Sequence, residues 1–95
     1  MGEQQLLKRI DEISQFLYQN KTNQIWNEVK KILQELQKMV TEITGISDEV
    51  TAFSIEMLKE LVDNYQNQDI IGLADCLQEK VTIFIQFYFE QKNIR

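Results

Sequence analysis

The sequence predicts an all-α protein: a four-helix bundle made of two helical hairpins, over residues 3–19, 23–44, 48–66 and 69–92, in a single domain spanning 1–95. Three observations carry that expectation. Apolar residues recur three and four apart in four separate segments. There is no proline and there are only three glycines, too little turn chemistry for a β-sandwich. A hydrophobic content of 43% supplies a core, and 95 residues suit one domain.

The first segment carries Leu6, Ile10, Ile13 and Leu17, widened by Leu7 and Phe16. It stops at the polar Asn20-Lys21-Thr22, a turn with a candidate N-cap for the next helix. The second carries Ile25, Val29, Ile32, Leu36, Met39 and Ile43, with Trp26, Leu33 and Val40 beside them. Lys30, Lys31, Gln34, Glu35, Gln37 and Lys38 form its wet face. Gly45 suits the left-handed residue that ends many helices. Ser47 then reads as an N-cap, followed by Asp48 and Glu49 where the helix dipole favours anions.

The third segment carries Val50, Phe53, Met57 and Leu61, flanked by Leu58, Val62 and Tyr65. Residues 64–68 form the next polar turn, and Asp69 favours a new helix start. The fourth carries Ile70, Ala74, Leu77, Val81, Phe84 and Tyr88. Its end is double-natured. From Val81 to Phe89 every odd position is apolar, which is strand periodicity, yet Phe84 and Tyr88 continue the helical stripe. Helix is the expectation, because no turn signal interrupts the segment and no partner strand exists. Tyr18-Gln19-Asn20 and Tyr65-Gln66-Asn67 each precede one of the longer stripes, a weak internal repeat.

Composition removes whole chemistries. Without histidine there is no Ser-His-Asp or Cys-His nucleophile pair and no Glu-x-x-His di-iron motif. One cysteine, Cys76, is too few for a zinc site or an internal disulfide, and it suits a reducing, cytoplasmic setting. Beside the Ala74/Leu77 stripe it reads as a small hydrophobe. Gly2, Gly45 and Gly72 are isolated, so no phosphate loop exists. Gly72, inside a helix, is either a tolerated neutral position or a point of close helix approach. Asp75 and Glu79 share a helix face, and carboxylates so spaced usually form a solvated surface. No enzyme activity, cofactor or metal is expected.

The net charge is −5, all of it in residues 45–95, with four basic and nine acidic side chains. Such a surface is unsuited to nucleic acid or to an anionic membrane. No segment reaches the roughly 18 apolar residues of a membrane helix, and the N-terminus lacks a secretion signal.

One cluster exceeds what a lone bundle needs. Ile83, Ile85, Phe87 and Phe89 lie outside the main stripe of the fourth segment, so they are the expected interface. Covering them calls for a second copy, giving a homodimer, or for a partner helix.

The segment Asp69-Ile70-Ile71-Gly72-Leu73-Ala74-Asp75-Cys76-Leu77-Gln78-Glu79 resembles a pattern, Asp-x-apolar-x-x-Ala-Asp-x-Leu-x-x-Glu, in uncharacterised short helical proteins of low-GC Gram-positive bacteria. A proline follows the glutamate in that pattern, and residues 80–85 contain none. As a small acidic all-helical chain, the protein is also similar in class to the flagellar export chaperones. Together these readings imply a bacterial, cytoplasmic, non-enzymatic interaction module, a chaperone or adaptor holding a helical client. The alternative is a small-ligand or metal-binding bundle, which requires Asp75 or Glu79 to point inward.

Overall fold

The computed structural model describes residues 2–20 and 25–94. It is 89% helical, and no strand occurs among the described residues. Three helices, α1 (Glu3–Tyr18), α2 (Ile25–Ile43) and α3 (Asp48–Gln66), precede a long C-terminal rod. The rod is α4 (Ile70–Cys76), a π turn (Leu77–Val81) and α5 (Thr82–Ile94), joined without a break in helical backbone angles.

α1 and α2 bury the whole stripe that their spacing dictates, the rod most of its stripe and α3 part of it. Leu6, Ile10, Ile13 and Leu17 of α1 and Ile25, Val29, Ile32, Leu36, Met39 and Ile43 of α2 are all in the core. From α3 only Met57 and Leu61 are fully buried among its apolar residues. The rod contributes Leu73, Ala74, Leu77, Val81, Phe84, Ile85 and Tyr88. The segment from Val81 to Phe89 is helical throughout, since the core lies along one side of it and the described residues offer no strand edge to pair with.

α1 packs between α2 and the rod, and α3 closes the ring on the other side. Cross-helix pairs fix the directions. Arg9 meets Glu35, Tyr18 meets Asp75, and Glu60 meets Lys80, so sequential helices run antiparallel. This is the up-down-up-down bundle of two hairpins.

The turns follow the sequence signals. Gly45 has φ +96° and ends α2. The Val50 N–H donates to Ser47 Oγ at 3.1 Å, capping α3, and the Gly72 N–H donates to Asp69 Oδ1 at 3.0 Å, capping α4. The N-cap expected at Thr22 lies outside the described residues. α1 and α3 end alike, with Asn20 at φ 59° and Gln68 at φ 54°. These two residues are 48 apart, whereas the Tyr-Gln-Asn motifs are 47 apart, so the motif and the caps are out of step by one residue.

The π turn had no forewarning in the sequence. There the Thr82 hydroxyl donates to the Leu77 carbonyl, five residues back, at 3.1 Å. A π turn holds more residues per revolution than an α turn. Side chains after it therefore lag by about one residue, or roughly 100° of rotation. One expectation is corrected in the helix that follows. Ile85, grouped with Ile83, Phe87 and Phe89 by their alternation, stands four residues after Val81 and three before Tyr88; it is 0% exposed and belongs to the core of a single chain. It is unavailable to a partner.

Candidate functional site

The least buried part of the bundle is the N-terminal half of α3. α3 as a whole packs on α2, α4 and the π turn but makes much sparser contact with α5. Ser54, where α3 comes round to the core again, is a small residue whose hydroxyl is turned back to the Val50 carbonyl at 2.8 Å. Val50 and Phe53 are thus only half-buried, and an open hollow of about 200 Å³ remains between α3 and α5. Val50 and Phe53 form one wall, and Ile83, Phe84 and Phe87 form the other, with Glu49 at the edge. The lining is apolar, Glu49 contributing its aliphatic stem at the edge.

Of the four expected interface residues, Ile83 and Phe87 meet in this groove. Ile83 is 56% exposed, among the most exposed large apolar side chains of the described chain. Phe89 points elsewhere. Its ring stands edge-on to Tyr88 at 5.2 Å, over a second hollow that opens toward α1 and α2. With Ile85 inside, the four residues divide among separate environments and do not form one patch. Val50, Phe53 and Glu49 were missed, although the serine in the middle of the α3 stripe is the signal that could have drawn attention to that helix.

Charged groups surround the groove. The Lys80 ammonium donates to Glu60 at 2.5 Å and lies 3.9 Å from Glu56, and the Glu60 bond, opposed in part by desolvation, holds the lysine above its ordinary pKa. Glu56 and Glu49 are exposed, as is Glu90, one helical turn beyond Phe87. The second hollow has a different character. Glu42 accepts from the Tyr88 hydroxyl at 2.5 Å and pairs with Lys92 at 2.9 Å, so its charges are already satisfied within the chain. Burial, then the Glu42 bond, raises the Tyr88 phenol, with Lys92 opposing.

The remaining sequence candidates take structural roles. Cys76 is buried, and burial followed by the neighbouring Glu60 carboxylate pushes its thiol up to about 12. A thiol so protonated is a small hydrophobe. Asp75 and Glu79 are both exposed, and Asp75 accepts from the Tyr18 hydroxyl at 2.5 Å. The inward carboxylate that a ligand or metal reading needs is therefore not supplied by either. Among the described residues no group of three histidine, cysteine or acidic side chains is placed to hold a metal ion. A Cβ at Gly72 would meet Asp69 Oδ2 at 2.5 Å and Asn64 Oδ1 of α3 at 3.0 Å, so that glycine makes room for the capping carboxylate and for the close approach of α3. No described helix is long and apolar enough to cross a membrane.

No curated protein and no solved structure is significantly similar to the chain. One family, described as Domain of unknown function (DUF8042), matches residues 4–87.

Proposed function

We propose that the chain, which belongs to the DUF8042 family, is a non-enzymatic interaction module that docks a helical partner in the groove between α3 and α5. One observation carries this reading: Ile83, Phe87, Val50 and Phe53 line an open apolar hollow that no other described residue covers. Exposed apolar surface of that kind is costly in water and is kept where it is used. The hollow holds about 200 Å³, below the roughly 300–1,000 Å³ of small-molecule sites. It suits one or two anchor side chains of a docked helix better than a cofactor. A chaperone-like holder of a helical client is one concrete form, and a bacterial cytoplasmic setting fits the single unpaired cysteine.

A photoreactive phenylalanine analogue at position 83 tests the reading in cells, with Ile71 as control. Ile71 is 53% exposed and lies on α4, away from the groove. Adducts at 83 that are absent at 71 and map to an amphipathic segment are expected. Equal labelling at both positions, or none at 83, overturns the proposal. Adducts between two copies of this chain would make the partner a twin subunit, the homodimer that the sequence suggested.

A further inference from the structure

Resting on the groove reading above, we infer that the occupant is an amphipathic helix of another protein whose apolar stripe is flanked by lysine and arginine. The groove carries its own charge label. Glu49 stands at its edge, and Glu56 follows two turns along the same helix. On the opposite side Glu90 extends the Ile83/Phe87 line. Lys80 is the cation on that side of the groove, and it is already engaged by Glu60 and Glu56. Lys59 lines a shallow hollow with Glu56, Glu60, Asp63 and Lys80, outside the apolar groove. Among the described residues, Glu49 and Glu90 pair with no cation, at the end where Val50, Phe53 and Phe87 are open.

A helix lowered into this groove with acidic flanks would bring like charges together, whereas basic flanks would complete the ion pairs. The same rim disfavours a second copy. The chain carries −5 overall, and self-pairing across the groove would set Glu49, Glu56 and Glu90 against carboxylates of the twin. An anionic membrane is repelled for the same reason.

Three synthetic peptides of about 15 residues, four helical turns, test this on the full chain. They share one leucine stripe and differ only in flanking lysine, glutamine or glutamate, and binding is read by fluorescence anisotropy. The lysine peptide is expected to bind roughly tenfold tighter than the glutamine one, a preference that fades in high salt. Ile83→Asn, a change at an exposed position, is expected to abolish that binding, and Glu49→Gln with Glu56→Gln to erase the preference. Equal binding of all three peptides, lost in Ile83→Asn, overturns the basic-partner inference and leaves the groove reading standing. Lysine-peptide binding that ignores Ile83→Asn overturns the groove reading, because charge alone then accounts for it. Binding of none of them overturns both. A dimer in light scattering that Ile83→Asn dissociates assigns the groove to a second copy.

Discussion

The carboxylate of Asp69 occupies the space that a side chain at position 72 would need. Gly72 therefore couples a helix cap to a helix interior. Glycine in a helix costs about 1 kcal/mol relative to alanine, so Gly72→Ala alone ought to stabilise the rod. Here the added methyl must push away the group that accepts the Gly72 N–H.

A double-mutant cycle in urea resolves the two effects. Gly72→Ala in the wild-type chain is expected to be neutral or destabilising. In an Asp69→Ala background, itself costing about 1 kcal/mol as a lost cap, the same change is expected to stabilise by about 1 kcal/mol. Additive effects would show that the cap and the glycine are independent.

Gln68 holds a left-handed backbone at φ 54°, a region that glycine enters without steric penalty. Gln68→Gly is expected to raise stability by about 0.5–1 kcal/mol despite the added freedom of the unfolded chain. Thermal melts of the two proteins measure it. Asn20, at φ 59°, is already a residue type suited to that region, so Asn20→Gly is expected to gain less.

Ile83 and Ile85 are two residues apart and have opposite surroundings. Ile85→Ala is expected to cost about 2–5 kcal/mol by opening a cavity in the core. Ile83→Ala is expected to stay within about 0.5 kcal/mol, since its side chain is largely in water. Urea midpoints that fall equally in both variants would contradict the placement of α5.

Alkali is expected to unfold the protein progressively. Cys76 keeps its proton to about 12 when folded, against an ordinary value of 9.0. Tyr18, Tyr88, Lys80 and Lys92 are also held above their ordinary values, Tyr18 chiefly by its hydrogen bond to Asp75. In every case the folded state binds the proton more tightly than the unfolded state. Their contribution is thus intact below pH 9 and declines as pH rises. Melting temperatures recorded from pH 8 to pH 11 should fall, and Cys76→Ala should flatten the earliest part of the decline. The native thiol should react slowly with Ellman-type reagents, and a fast reaction would contradict its burial.

What could be read from the chain was local. Four stripes, the Gly45 terminus, the Ser47 cap and the Asp69 start depend on neighbours three or four residues away, and the structure has all of them. The site depended on two things that are not local. One is how far α3 stands from α5, which is set by packing across the whole bundle. The other is the π turn, whose residues Leu77, Gln78, Glu79, Lys80 and Val81 are unremarkable in an α-helix. Nothing in their identities announces a wider turn. Ile85 was put on the wrong side of α5 by the alternation of residues 81–89, although it stands four residues after Val81, and half of the groove, Val50 and Phe53, was assigned to the core.

The π turn also means that the gene carries a spare codon. Loss of the codon for Glu79, an exposed residue inside the turn, would let the rod close into ordinary α-helix with α5 facing as before. Loss of a codon within α5 has no such refuge. Every side chain beyond it would swing by about 100°, bringing Phe84 or Tyr88 out of the core. Length variation in this rod should therefore be tolerated between positions 77 and 81 and purged from the helix that follows.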